Sequence, residues 1–430
     1  MTTPKSLPGM DDILPEEIEK WQAIEQKARE IFDLYNYSEI RTPILEEISL
    51  FCQSVGQDTD IVQKEMFSFG QSGGEKEICL RPEQTASVIR AYIEHNVAKK
   101  EGLTKYYYSG PMFRKEKPQK GRKRQFHQIG VEAIGSNSIY LDAEIISLAN
   151  DILRAVKIDN YQIEISSVGC PQCQADYKSA LREYFQDKIR LLCPDCEQRF
   201  KRNIMRILDC KKENCQIIIK KAPRILDYLC HKCDSHFKKV QDALDLIVNK
   251  VNYVINPRIV RGLDYYTNTV FEITHSNLGS QNALAAGGRY NGLIEQMGGE
   301  PQPAVGFSLG IERVISVAKL EANNPSVFVC FIPLGEEAYV KSYKIMHQLR
   351  QKGIACEIDY QNKSLKAQMR IADRLKAKFV VILGEKELEK GIITLRDMET
   401  KKQEEIEIRR SAEEIAKLLT INRQTGQLTN

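Results

Sequence analysis

The sequence predicts an α+β protein that carries a helical, cysteine-rich insertion and ends in a small α/β domain. Three observations predict this. An amphipathic helix followed by strands and long turns opens the chain, and strand-and-turn patterning returns after Val251. Between Cys170 and Cys233 lie eight of the twelve cysteines, in four closely spaced pairs. After Asn323-Asn324-Pro325, which reads as a linker, short apolar strands alternate with helical stretches.

The opening helix is expected over Glu16 to Leu34, started by Leu14-Pro15, with Ile18, Trp21, Ile24, Ala28, Ile31 and Phe32 on one face. Ser38 to Leu45 reads as a strand that Pro43 confines to an edge or an interface, because proline removes a ladder donor. Arg81-Pro82 is expected to open a helix running to Glu94, with Glu83 in its first turn. Tyr106 to Ser109 and Gln125 to Ile134 read as strands joined by a long basic loop, and Tyr161 to Val168 as a strand leading into the cysteines. Farther on, Phe271 to Thr274 reads as a strand, Ala286-Gly287-Gly288 as a tight turn, and Gly306 to Val317 as a strand passing into a helix. In the last domain the strands are Val327 to Ile332, Ala355 to Ile358 and Phe379 to Leu383, the helices Glu336 to Lys352 and Ser364 to Lys376.

A chain of 430 residues exceeds one ordinary core and suggests two or three units. Its 42% hydrophobic and 28% charged residues fit a folded globular protein and exclude a disordered or collagen-like one. The N-terminus lacks a basic segment followed by an apolar stretch, and no apolar run of about 18 residues occurs, so a cytoplasmic protein without membrane contact is expected. A net charge of +4 excludes a uniformly basic nucleic-acid coat and leaves local clusters as the polyanion sites. There are two. Lys105 to Arg124 holds eight Lys or Arg against Glu116 alone, and Glu197 to Lys239 holds twelve against five acids.

Arginine offers a planar fork that matches phosphate and carboxylate bidentately. Arg114 ends the strand before the basic loop, Arg261 opens Arg261-Gly262-Leu263-Asp264-Tyr265-Tyr266, and Arg313 starts the helix after Gly306-Phe307-Ser308-Leu309-Gly310. Each alone reads as a surface ion-pairing residue. Together they carry a resemblance. Phe113-Arg114-Lys115-Glu116, continuing to Arg122 and Arg124-Gln125-Phe126-His127-Gln128, resembles the second signature motif of class II aminoacyl-tRNA synthetases. Gly306 to Arg313 resembles their third motif, and Ser38 to Leu45 the first, which in that class lies at the dimer interface. Arg261 to Tyr266 and Ala286-Gly287-Gly288-Arg289-Tyr290 are similar to hallmarks of the histidyl-tRNA synthetases. The motifs span nearly the whole chain in the family's order.

The resemblance implies a mixed, mainly antiparallel catalytic sheet built from residues 1–169 and 241–323. It also implies an insertion over 170–240, an anticodon-binding domain over 326–421 and a polar tail over 422–430. It implies a homodimer that joins L-histidine to ATP, with Mg²⁺, and passes histidine to its tRNA. In the roles carried over, Arg114 meets the ATP α-phosphate and the histidine carboxylate, Arg261 the α-phosphate from the other side, and Arg313 the γ-phosphate. Phe126 stacks on adenine with Arg122 near the nucleotide. Glu83, Thr85 and Gln128 serve the histidine ammonium group, and Glu132 and Tyr266 the imidazole, with Tyr265 beside them. This chain departs from the family at Gln84, where the usual glycine would let backbone approach closely. The basic loop would also touch the acceptor end of the RNA.

The pairs Cys170/Cys173, Cys193/Cys196, Cys210/Cys215 and Cys230/Cys233 have the spacing of tetrahedral thiolate sites, so the insertion is expected to hold one or two structural Zn²⁺. Reduced thiols are the alternative in a cytosolic chain. By the resemblance the insertion stands where the family has an arm on the acceptor stem, so loss of its metal should spare histidine activation and impair transfer. Two other readings compete. A non-catalytic regulatory relative would have degraded arginines and no C-terminal domain, and a zinc-ribbon nucleic-acid module would leave the arginine motifs unexplained.

Overall fold

The computed structural model describes residues 3–57, 59–70, 77–119, 121–247, 251–279, 282–320 and 329–426; the linker Asn323-Asn324-Pro325 and Val327 lie outside them. The chain divides into two compact units, Met1–Ala322 and Asn323–Asn430. Among the described residues no helix is long and apolar enough to cross a membrane.

The first unit is built on an eight-stranded sheet. In spatial order its strands are Ser38–Glu39, Thr104–Phe113, Gln125–Ile134, Ala304–Gly310, Ala283–Arg289, Thr267–His275, Tyr161–Ser167 and Tyr253–Ile255. The six inner strands pair antiparallel and the two edge strands parallel, which gives the mixed, mainly antiparallel sheet. Side chains alternate faces along a strand. Ile129, Val131 and Ala133 point to one side, where with Val305, Phe307 and Leu309 they bury against the helices Pro15–Leu34, Ile139–Ala155 and His231–Asp245. Phe126, Gln128 and Glu132 point to the other and line an open cavity.

Three expectations are corrected. Ser38 to Leu45 is not one strand: Ser38–Glu39 joins the large sheet and Leu45–Glu47 a separate three-stranded one, with Pro43 between them. The buried Arg81 guanidinium holds the break open by donating to the carbonyls of Thr42 at 2.8 Å, Pro43 at 3.2 Å and Pro111 at 3.0 Å. The helix after it spans Thr85–Glu94, so Glu83 precedes its first turn and instead accepts the free N–H groups of Thr85 and Ala86, both at 2.8 Å. Ala286-Gly287-Gly288 is no turn but the middle of strand Ala283–Arg289. A Cβ on Gly287 would come 2.3 Å from the Gly306 carbonyl, so the glycine answers to strand packing rather than chain reversal. The helix Ser411–Gly426 also extends into the residues read as a polar tail.

The insertion follows strand Tyr161–Ser167 as the helices Pro171–Gln186, Pro194–Arg202 and Glu213–Ile219, and returns through His231–Asp245. Its own small core gathers Tyr177, Leu181, Phe185, Ile204 and Ile207 together with the thiols of Cys196, Cys210 and Cys215. The second unit is a five-stranded sheet ordered Cys356–Ile358, Val329–Pro333, Phe379–Leu383, Ile392–Asp397, Gln403–Glu407. The first three strands are parallel, as the strand–helix alternation requires, and the last two are antiparallel additions.

One buried ion pair ties the cavity's supports together. Arg289, fully buried, meets Asp142 of helix Ile139–Ala155 through Nε at 3.1 and 3.0 Å, and donates to the carbonyls of Ser136 at 2.9 Å and Ser138 at 3.0 Å. Removing one partner strands the other charge. Asp142→Ala is therefore expected to cost about 3–5 kcal/mol, read as a lowered denaturation midpoint. Pairing Asp142→Leu with Arg289→Met should recover most of that loss; if the double variant is no more stable than Asp142→Ala, the ion pair is not what supports this corner.

Candidate active site

The cavity encloses about 400 Å³ above the sheet. All eleven residues that the resemblance assigned to histidine and ATP line it: Glu83, Thr85, Arg114, Arg122, Phe126, Gln128, Glu132, Arg261, Tyr265, Tyr266 and Arg313.

At its floor sits the Glu132 carboxylate, 1% exposed. It accepts from Thr85 Oγ1 at 2.7 Å, from the Tyr290 hydroxyl, and from the Tyr108 hydroxyl at 3.5 Å. Register sets Glu132 opposite Gly306, whose imagined Cβ would lie 2.0 Å from Glu132 Oε2, so only glycine leaves room for this side chain. Gly130 does the same for Tyr108, whose hydroxyl would lie 2.4 Å from a Cβ there. Burial pushes the Glu132 carboxyl up to about 8, against the hydrogen bonds from Tyr290 and Thr85, which favour its charged form. Burial likewise raises Glu83, opposed by the N–H groups of Ala86 and Thr85. Two acids thus share one deep corner, with the rings of Tyr265, Tyr266 and Tyr290 packed beside them.

Toward the mouth the charge reverses. Arg114 donates through Nε to the Pro82 carbonyl at 3.0 Å and lies over the Phe126 ring at 5.2 Å. Arg313 donates to the carbonyls of Gly121 at 3.0 Å and Ala283 at 2.8 Å. Those contacts fix the guanidinium without neutralising it. Burial, then the fields of Arg122 and Arg114, lower the Arg313 pKa, the signature of cations converging on one space. Arg122 pairs with Glu116 at 2.8 Å, and Arg261 lies 3.5 Å from Glu272. Gln128, which lines the cavity, donates from Nε2 to Ser308 at 3.3 Å, and its buried Oε1 has no hydrogen-bond partner among the described residues. Positive charge above and hydrogen-bonded acids below suit a zwitterionic amino acid bound beneath a polyphosphate.

Gln84 answers the departure noted above. Its backbone is right-handed helical, with φ −104° and ψ −27°, so no glycine is needed, and its amide turns to Thr42 Oγ1 at 2.9 Å. Sequence reasoning missed Tyr108, the role of the Tyr290 hydroxyl, and Glu312, whose carboxylate accepts the backbone N–H of His127 at 3.0 Å. Tyr290 stood within a recognised motif, whereas nothing singled out Tyr108 from its neighbours Tyr106 and Tyr107.

The cysteines form two groups, each with its sulfurs all within 4.8 Å of one another: Cys170, Cys173, Cys230 and Cys233, and Cys193, Cys196, Cys210 and Cys215. Cys170, Cys193 and Cys230 each stand at the N-cap of a helix, and all twelve cysteines are free thiols.

The raised pKa of Glu132 has a consequence for stability. A folded value of about 8 against an ordinary 4.5 means the folded chain keeps a proton that the unfolded chain releases. The stabilisation is full below about pH 4.5 and is lost as pH rises through about 8. In the ligand-free protein the melting temperature should fall from about pH 6 to about pH 9, and Glu132→Gln should flatten that fall. Equal slopes in the two proteins would mean that Glu132 is ionised throughout.

Residues 9–314 match the family described as histidyl-tRNA synthetase, and residues 328–418 match one described as anticodon binding domain. A histidine–tRNA ligase of Halothermothrix orenii is 49% identical over 416 residues, 96% of this chain and 98% of that protein. One of Desulforamulus reducens is 47% identical over 407 residues, 93% and 96% of the two chains. The apo histidyl-tRNA synthetase of S. aureus superposes with a TM-score of 0.80 at 35% identity, covering 96% of this chain and 100% of that one. A Bacillus halodurans chain described as an ATP phosphoribosyltransferase regulatory subunit/histidyl-tRNA synthetase reaches a TM-score of 0.65 at 20% identity, covering 88% and 98%, a likeness of fold. With the predicted site residues gathered in one cavity and 96% of its length matched by a relative 49% identical, the chain belongs to the histidyl-tRNA synthetase family.

Proposed function

We infer that this chain ligates histidine to tRNA: it activates L-histidine with ATP to histidyl-adenylate and pyrophosphate, then transfers histidine to the 3′ end of its tRNA. The observation that carries the reading is the joint placement of the buried Glu132 carboxyl group and the guanidinium groups of Arg114, Arg261 and Arg313 in one cavity.

In the first step a carboxylate oxygen of histidine attacks the α-phosphorus, forming the C(O)–O–P bond as the bond to pyrophosphate breaks. The substrate carboxylate is already ionised, so no protein nucleophile is required. Arg114 and Arg261 neutralise the charge that builds on the α-phosphate, and Arg313 holds the γ-phosphate end, in a preorganised field. Phe126 offers its ring to adenine with Arg122 beside it. Glu83, Thr85 and Gln128 take the histidine ammonium, the Gln128 Oε1 being the acceptor left open. Glu132 and Tyr266, with Tyr265, read the imidazole, since a site built around buried polar groups rejects side chains that leave them unpaired. In the second step a ribose hydroxyl of the tRNA attacks the carbonyl carbon and AMP leaves.

Mg²⁺ accompanies ATP in this reading. Among the described residues no group of three or more His, Cys, Asp or Glu ligands gathers at the cavity, so phosphate and water oxygens would form most of its shell. The cysteine groups fit Zn²⁺: sulfur separations of 3.5 Å for Cys170–Cys173 and 3.8 Å for Cys193–Cys210 match the edge of roughly 3.8 Å that a tetrahedron with 2.3 Å Zn–S bonds requires. The C-terminal unit serves the anticodon. A homodimer and a cytoplasmic setting complete the reading, the dimer supported by exposed Leu34, Ile44 and Leu45 flanking the edge strand Ser38–Glu39. The regulatory alternative is disfavoured by the retained arginines and the matched C-terminal domain.

Arg261→His is expected to lower histidine-dependent pyrophosphate exchange by about a hundredfold or more while leaving the fold intact; near-normal exchange would remove the function proposed here. Glu132→Ala should raise the KM for histidine far more than the KM for ATP. Equal rises would recast Glu132 as purely structural.

A further inference from the structure

The loop that carries Arg261, Tyr265 and Tyr266 has no sheet partner until Thr267, although the side chains of Tyr265 and Tyr266 pack in the cavity wall. Apart from a bond from Asp264 N–H to the Val55 carbonyl at 3.4 Å, its contacts run at several points to the cysteine-rich insertion. Before it, Arg258 donates to the carbonyls of Lys220 at 2.6 Å and Ala222 at 3.3 Å, just past Cys215, and Val260 packs into the insertion's own core. Within it, Arg206 donates to the Arg261 carbonyl at 3.4 Å and to Asp60 at 3.1 Å. Asn203 donates to the Asp264 carboxylate at 3.1 Å. Both residues stand between Cys196 and Cys210, inside the loop that one thiol group closes. At its far end, Gln174 donates to the Tyr266 carbonyl at 2.9 Å, and Gly169 O accepts from Asn268 N at 2.9 Å. These two flank Cys170 and Cys173 of the other group, and Gly169, at φ +67°, would set a Cβ 2.5 Å from Cys173 Cβ.

We propose that the two four-cysteine metal sites clamp residues 258–268 from both ends, making the insertion a positioning element for histidine binding during activation. The proposal rests on the zinc reading above. Two features of the insertion support it. Three of the thiols lie buried inside its apolar core, so losing the metal would leave unligated sulfurs at the centre of that core and remove the cross-links that hold the clamp's ends. The groups are also nested: the first pair meets the fourth and the second meets the third, so one ion closes the neck of the insertion and the other its far loop. Removing either would free one end of the histidine loop. A displacement of about 1 Å in a substrate-positioning segment is enough to cost about a hundredfold. This replaces the expectation that loss of the insertion's metal spares activation.

The test combines elemental analysis of the full-length protein, purified without added metal, with pyrophosphate exchange at varied histidine and ATP. Wild type should carry about two zinc ions per chain, and Cys193→Ser and Cys230→Ser about one each. Each variant should raise the histidine KM about tenfold or more, with the ATP KM changed less than about twofold. A second pair cuts the contacts and keeps the cysteines. Gln174→Met with Asn203→Ala should hold two zinc ions and still raise the histidine KM severalfold, and restoring a donor with Gln174→Lys should recover part of it. Two bound ions with an unmoved histidine KM in that double variant would overturn the clamp and leave the zinc reading standing. Wild-type zinc well below one equivalent, with all eight thiols reactive in the native protein, would overturn both.

Discussion

The floor of this cavity is organised around the burial of one carboxyl group, that of Glu132. A buried carboxyl group without hydrogen-bond partners would be costly in either protonation state, so Glu132 must be met by polar groups, and these come from three separate elements. Thr85 opens the helix Thr85–Glu94, Tyr108 lies on the neighbouring strand Thr104–Phe113, and Tyr290 follows the strand Ala283–Arg289. Gly306, directly opposite, vacates the volume that the carboxylate fills. Four parts of the chain thus converge on one side chain. The residue after the strand, Tyr290, is held in turn because its neighbour Arg289 is locked to Asp142 in the core. A single polar group therefore couples sheet register, helix start and core ion pair.

The cations at the mouth obey the opposite rule. Arg313 and Arg114 are fixed largely by backbone carbonyls, which orient a guanidinium while leaving its charge available. Where carboxylates do approach, at Glu116 and Glu272, they face Arg122 and Arg261. A field built this way is in place before the nucleotide arrives and needs no rearrangement as charge moves. It also explains why a net charge of only +4 is no obstacle to binding a polyanion.

The legible part of the sequence was the part governed by period and by short-range chemistry. Gln125–Ile134 reads as a strand, and its alternation already separates Ile129, Val131 and Ala133 from Phe126, Gln128 and Glu132. The motifs, rather than this alternation, single out the site residues, and the fold brings them to one cavity. Long-range demands stayed hidden. Gly287 mimics a turn residue because a strand packed against Gly306 and Phe307 needs the same missing Cβ as a reversal does. The break at Pro43 depends on Arg81, distant in sequence. Strand Gln403–Glu407 buries only Ile406, so it has no pattern to read. Cysteine spacing revealed pairs, yet which pair meets which is decided by the insertion's fold.

That nesting bears on how the first unit can behave. An insertion stitched only to itself would be free to open without disturbing the sheet. Here the returning helix His231–Asp245 carries Cys233 at one end and buries Phe237, Val240 and Leu244 in the main core, while His236 between them comes within 3.9 Å of Asp142. Asp142 is the partner of Arg289, and Arg289 adjoins the tyrosine that meets Glu132. The same insertion grips the histidine loop from its other side through Asn203 and Arg206. Its ends and its middle therefore touch different walls of one cavity. Contacts spread in this way make local opening of the insertion unfavourable unless those walls loosen as well. Residues Met1–Ala322 accordingly form one compact unit that includes the cysteines, rather than a core with an appendage.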